Sequence, residues 1–265
     1  MRQRSEIVVY SYSRLTTFTQ CPLKYRFKYL DEIPTQREGI EAFVGNRVHD
    51  ALEKLYVDLR AGKLNRFDEL KDFYASEWDE GWHQHVYDAR NREYVARTGE
   101  TADQFFAYGL ECIDNFYREN NPFKQSRTVA LEERFKFNLD PGGPRRFQVK
   151  IDRLASRPDG AYEIHDYKTS RSRRSPGISE LRQLSLYQVG VQCMYPEATR
   201  VELVFYFLCS GEVFRRHQTH TDLVQIVQDT HQVIDDIESE EEFPADVTKG
   251  LCNWCEFQEI CPEWS

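Results

Sequence analysis

Three consecutive segments, residues 128–139, 145–155 and 160–170, alternate apolar and polar side chains with the period of two that a half-buried strand requires. Asp140-Pro141-Gly142-Gly143 and Arg157-Pro158-Asp159-Gly160 separate them, and both runs favour tight turns. A chain with such a meander in its middle builds a sheet there, and the rest must cover it. Helical spacing follows from about Ile178 to Met194, then two strands over 200–210 and 212–219 joined at Ser210-Gly211, then a helix from about Thr221 to Glu238. Upstream, Ser13 is placed to cap a helix over 14–30, with Cys21-Pro22 inside it or at a break. Val44, Val48, Ala51, Leu52, Leu55 and Leu59 recur at helical spacing within 41–60, and residues 66–120 read as further aromatic-rich helices. No internal repeat is present. This order predicts an α/β fold, one mixed sheet flanked by helices, in a single domain over 1–265 with 66–120 as a helical insertion.

Composition narrows the function classes. Seventeen Phe, 15 Tyr and 4 Trp in 265 residues supply a sizeable core, which excludes a chain disordered throughout. The longest apolar stretch, Val201 to Cys209, is interrupted by Glu202 and falls far short of the ~20 residues that cross a bilayer. The first residues carry no apolar run of signal-peptide length, so a soluble, cytoplasmic protein without a membrane partner is expected. The net charge of −9 argues against a generally basic nucleic-acid coat. Yet Lys124 to Arg182 holds 14 basic and 8 acidic residues, whereas Asp235 to Asp246 holds seven acids and no base. Screening confines surface fields to about 8–10 Å, so one basic segment can hold an anion on an acidic protein. A solvated charged surface gives the same counts.

Strand alternation places Ile164, Asp166 and Lys168 on one face, and Lys150, Asp152 and Leu154 on one face of the preceding strand. Pairing across the Pro-Asp-Gly turn then brings Asp152 and Asp166 together. Two carboxylates beside a lysine suit phosphodiester hydrolysis: carboxylates hold a hard divalent cation, and a lysine positions or deprotonates water and offsets negative charge. Asp166-x-Lys168 alone reads as readily as a surface ion pair. Gln183 and Tyr187, four apart on the following helix, share a face and offer an amide and a phenol to phosphate or sugar oxygens. His49 offers a ring nitrogen to a metal, although a lone histidine is more often structural. No ligand pattern accompanies His83 and His85, which read as surface or packing residues.

Seven cysteines without a secretory signal point to metal binding rather than disulfides. Cys252-x2-Cys255-x5-Cys261 stands late in the chain and Cys21 early. Spacing alone leaves structural zinc and a 4Fe–4S cluster equally open, because both accept four thiolates. Cys112, Cys193 and Cys209 lie in apolar segments and read as core residues.

Gly45-Asn46-Arg47-Val48-His49, Ile151-Asp152-Arg153, Asp166-Tyr167-Lys168 and Gln183-x-x-x-Tyr187 occur in this order, after Tyr12-Ser13-Arg14-Leu15 and Cys21-Pro22. This succession resembles the RecB/AddB branch of the PD-(D/E)XK nuclease superfamily from residue 10 to 262. The resemblance implies a restriction-endonuclease-like core and a Mg²⁺- or Mn²⁺-dependent deoxyribonuclease. His49, Asp152, Asp166 and the Tyr167 carbonyl would hold the cation; Lys168 would be the catalytic lysine; Gln183 and Tyr187 would organise the site and touch DNA. Relatives often add a glutamate from the first strand, here Glu132 or Glu133, and often have glycine where Val149 stands. Branch members with this cysteine pattern hold a 4Fe–4S cluster, which favours Cys21, Cys252, Cys255 and Cys261 as its ligands over a zinc site. The cluster would clasp the N- and C-terminal segments together. Exonuclease action on single-stranded DNA ends is implied, in recombination, repair or CRISPR spacer acquisition, with a helicase or other partner supplying any unwinding. Lys168, Arg171, Arg173, Arg174, Arg145 and Arg146 are expected to track the DNA backbone. The alternatives are a catalytically weak iron–sulfur DNA-binding subunit and an RNA-processing nuclease.

Overall fold

The computed structural model describes residues 8–140, 142–171, 175–248 and 250–264. Strand β1 (Val9–Ser11) leads into helices α1 (Tyr12–Gln20) and α2 (Pro22–Tyr29). Next come β2 (Glu38–Gly39), α3 (Ile40–Arg60), α4 (Phe67–Gly81), β3 (Val86–Asp88), β4 (Glu93–Tyr94) and α5 (Glu100–Asn120). The meander is β5 (Arg127–Asn138), β6 (Arg146–Ser156) and β7 (Tyr162–Lys168). Helix α6 (Ile178–Met194), strands β8 (Val201–Phe207) and β9 (Glu212–Arg216), and helix α7 (His220–Ser239) complete the core.

Six strands form one mixed sheet in the order β1-β6-β7-β8-β9, with β5 also paired to β6. The β1–β6 and β7–β8 pairs are parallel and the others antiparallel, α6 being the crossover from β7 to β8. Two cores cover the two faces. Leu15 and Phe18 of α1, Tyr25 of α2, Leu184 and Val191 of α6, and Ile226 and Ile234 of α7 pack with Ile164, Leu203 and Phe205. On the opposite face, α3, α4 and α5 pack with Tyr167, Val204 and Tyr206.

The expected mixed sheet and its flanking helices are present, with Cys21-Pro22 at a break and with three differences. The first helix begins at Tyr12 and is capped by Ser11, whose Oγ accepts from the Arg14 amide, rather than by Ser13. It ends at Cys21, where the extended backbone and Pro22 start a new helix. Residues 66–120 are not purely helical: β3 and β4 join β2 in a second, three-stranded sheet. Cys112 is buried as expected, but Cys193 is exposed and Cys209 half-buried, so only one of the three is a core residue.

One arrangement positions everything that follows. Strand β5 occupies one edge of β6 for nearly its whole length. The other edge is shared: β1 pairs with residues 146–148 and β7 with 153–156. Residues 149–152 therefore lack a strand partner on that edge, a gap of about 13 Å at ~3.3 Å per residue.

Candidate active site

The gap opens at Asp152. The β6–β7 ladder stops at Arg153 opposite His165, and the Asp152 carboxylate takes over, with Oδ2 accepting from the Tyr167 amide at 2.8 Å. Alternation also breaks here, since Val149, Ile151 and Leu154 all reach the same core. The expected shared face of Lys150, Asp152 and Leu154 is thus not kept. Across on β5, Glu132 has φ +46°, a left-handed conformation costly for a residue with a side chain. That turn brings its carboxylate to His49 Nδ1 (3.5 Å) and Lys150 Nζ (2.5 Å), while Glu133 stays exposed. Of the two candidate glutamates, the structure brings Glu132 to the site. Its signal in sequence was a second acid beside the first, which identifies the pair but not the member.

Helix α3 delivers His49 because Gly45, one turn earlier, lies close to the strand end. A Cβ at Gly45 would sit 3.3 Å from Thr169 Oγ1, tighter than ordinary contact. His49 Nε2 reaches the Tyr167 carbonyl oxygen at 3.0 Å, and Nδ1 faces Asp152 Oδ1 at 3.8 Å. Among the described residues, His49, Glu132 and Asp152 bring one ligand atom each to within 4.8 Å of one another. Asp166 stands beside this group, turned to Lys168, whose Nζ lies 3.0 Å from Oδ1 and 2.8 Å from Oδ2. Gln183 Nε2 donates to Tyr187 Oη at 2.7 Å. Val149 finds its room on α6: a Cβ at Gly190 would press on Phe137 and on Val149 Cγ2 at 3.2 Å.

The electrostatics show what the group lacks. Burial pushes the Asp152 carboxyl up to about 6, with Asp166 and Glu132 adding to the rise and His49 opposing it. Burial disfavours a charged His49, but Asp152 and Glu132 overcome it and raise the imidazole to about 9. Burial likewise opposes charge on Lys168 and Glu132, yet Asp166 raises the former and His49 with Lys150 lowers the latter. Carboxylates outnumber the cations that could neutralise them, so His49 takes a proton to compensate. Hard oxygen donors plus one imidazole, gathered where negative charge is in excess, fit a divalent cation.

The four motif cysteines line a single pocket with Lys24, Asp246 and Trp264. Cys21 Sγ accepts from the Asp246 amide at 3.4 Å, and Cys255 and Cys261 each close a short 3-10 turn. Among the described residues, no three of the sulfurs lie within 4.8 Å of one another. The segment is held by other means as well: Glu256 pairs with Lys24 (2.7 Å) and Lys28 (3.0 Å), and Phe257 packs on Phe27.

The expected DNA-tracking arginines fare differently. Arg171 lies over the Tyr108 and Phe105 rings, and Arg145 is bound by Asp235 and Glu238 of α7. Arg146 is exposed, while Arg173 and Arg174 lie outside the described residues. His83 contacts Glu38 and takes no part in the site. No helix is long and apolar enough to cross a membrane.

Residues 9–262 match the family model of the PD-(D/E)XK nuclease superfamily. No protein with a curated description matches the chain. Among solved structures, a "Putative exonuclease" from Eubacterium rectale aligns over 99% of this chain and 96% of that one, at 15% identity and a TM-score of 0.54. The structure of SSO0001 aligns over 99% and 90% at 15% identity, with a TM-score of 0.47.

Proposed function

The chain belongs to the PD-(D/E)XK nuclease superfamily, and from that premise we propose a Mg²⁺- or Mn²⁺-dependent exonuclease of the RecB/AddB branch, acting on single-stranded DNA ends. The observation that carries this reading is the convergence of His49, Glu132, Asp152, Asp166 and Lys168 where β6 and β7 part. His49, Glu132, Asp152, Asp166 and the Tyr167 carbonyl would hold the cation. When bound, it supplies Lewis acidity to the phosphodiester and acidity to water. Lys168, kept as an ammonium by Asp166, offsets the negative charge that grows on the phosphate. Gln183 and Tyr187 present an amide and a phenol to the strand. The exonuclease mode follows the resemblance of the motifs, and the Eubacterium rectale protein, alike in fold, carries the same description.

The whole chain acts as one cytoplasmic domain in recombination, repair or spacer acquisition, with a partner for unwinding. Cys21, Cys252, Cys255 and Cys261 hold a 4Fe–4S cluster. Four thiols on one pocket are the donor set that such a cluster takes.

Digestion of end-labelled single- and double-stranded DNA and RNA, with and without Mg²⁺ or Mn²⁺, tests the activity. Progressive shortening of single-stranded DNA only with the cation is expected, and an Asp166→Ala protein that digests at the wild-type rate overturns the site. Metal analysis after anaerobic purification tests the clasp. Four iron atoms per chain, lost in Cys21→Ser, are expected; one zinc and no iron contradict it.

A further inference from the structure

A groove of about 460 Å³ adjoins the site and shares Lys150, Gln183 and Tyr187 with it. It runs along the gap in β6 and beside α1 from Ser11 to Gln20, and its other walls are hydroxyls, carboxamides, Val149 and Arg134. No carboxylate lines it, in a chain with 44 acidic residues. The first turn of α1, free of acidic side chains, and Ser179 at the start of α6 both face it, with Tyr12 Oη and Ser179 Oγ 2.9 Å apart.

Arg134 and Lys150 are directly opposed across the β5–β6 ladder. Like charges in that position destabilise a sheet. Glu132 offsets Lys150, but among the described residues no acid pairs with Arg134, which is exposed. An unneutralised guanidinium beside an ammonium, on a groove without carboxylates, is a site for polyanion charge.

We propose that this groove holds the phosphates next to the scissile one on a single polynucleotide strand, with Arg134 as the principal binding residue. The contacts available are charge, hydroxyl and carboxamide, which grip the backbone and leave the base sequence unread. This inference rests on the nuclease reading for its orientation toward the site, but its test does not need activity.

Binding of fluorescent 20-residue oligo-dT and oligo-U is measured in EDTA over a range of salt concentrations. The proteins are wild type, Arg134→Glu, Arg134→Lys and Lys71→Glu, the last an equal charge change on the exposed face of α4. Arg134→Glu is expected to raise Kd at least tenfold and to flatten the log–log salt slope by ~0.7, the share of one phosphate contact on a single strand. Arg134→Lys should recover most of the affinity, and Lys71→Glu should stay within twofold of wild type. Equal losses in Arg134→Glu and Lys71→Glu, or no binding by wild type, overturn the proposal. The tighter of the two oligonucleotides identifies DNA or RNA as the strand. If Arg134-dependent binding persists in a protein that cleaves nothing with either cation, the groove stands and the catalytic reading falls.

Discussion

Two buried charge clusters lie along strand β7, and they are opposites. In the first, Glu163 is held by Arg215 (2.7 Å) and touches His165 (3.1 Å), which in turn meets Arg153 (3.1 Å). Burial opposes the Glu163 charge, but His165 and Arg215 pull its carboxyl down to about 2; burial and then Arg153 hold His165 down to about 4. In the second, at the C-terminal end of the strand, Asp152 is pushed up to about 6 and His49 up to about 9. The first cluster has a guanidinium for its carboxylate and needs nothing more. The second has acids drawn together without enough positive charge, and it borrows a proton on His49. Buried charge alone therefore does not distinguish a structural network from a binding site. Whether the carboxylates have cations to match them does.

Four substitutions or conditions would break or sharpen this contrast. Asp152→Ala, Asp166→Ala and Lys168→Ala should each lower cleavage at least ~100-fold while leaving the circular dichroism spectrum intact. Arg153→Ala should do the reverse. It removes a guanidinium 2% exposed that bridges Thr128, Ser126 and His165 over the Tyr56 ring. Its loss should destabilise by about 3 kcal/mol, a fall of roughly 6–12 °C in Tm. If the site variants and Arg153→Ala lose activity and stability alike, the two clusters are not functionally distinct. Saturating Mn²⁺, at 100 times its Kd, should stabilise wild type by about 2.7 kcal/mol and Asp152→Ala hardly at all, as read by thermal melting.

The smallest net effect is on acid stability, because the clusters work against each other. His165 folds with a pKa of about 4 against an ordinary 6.5, so the unfolded chain protonates first. Stability is lost as pH falls from about 6.5 to 4, by about 3 kcal/mol. Asp152 folds near 6 against 3.8, so in metal-free protein its contribution is favourable at low pH and is lost as pH rises from about 4 to 6. The metal-free wild type should show a shallow acid limb, which Asp152→Asn steepens. An unchanged limb in denaturant melts between pH 4 and 6.5 would contradict the opposed signs.

Much of this was legible in the sequence. The meander, α6 and the β8–β9 pair follow from period and turn residues; the expectation of Asp152, Asp166 and Lys168 together comes from the strand pattern, and that of His49 beside them from the resemblance of the motifs. What escaped depends on the chain meeting itself. Three-residue β1 is too short for alternation to show, yet its pairing with β6 frames the gap. The left-handed turn at Glu132 decides which glutamate enters, and no glycine or asparagine marks it. The β2–β3–β4 sheet joins segments almost fifty residues apart through two- and three-residue strands. Arg145 and Arg171 looked available because their partners, α7 acids and α5 rings, are remote in sequence.

Mn²⁺ binding followed by electron paramagnetic resonance tests most directly whether the gap in β6 holds a divalent cation. Wild type should bind the ion, Asp152→Ala should lose it, and Glu163→Gln, altered only in the Arg215 cluster, should keep it. Equal binding by wild type and Asp152→Ala, or loss in Glu163→Gln alone, would contradict the assignment.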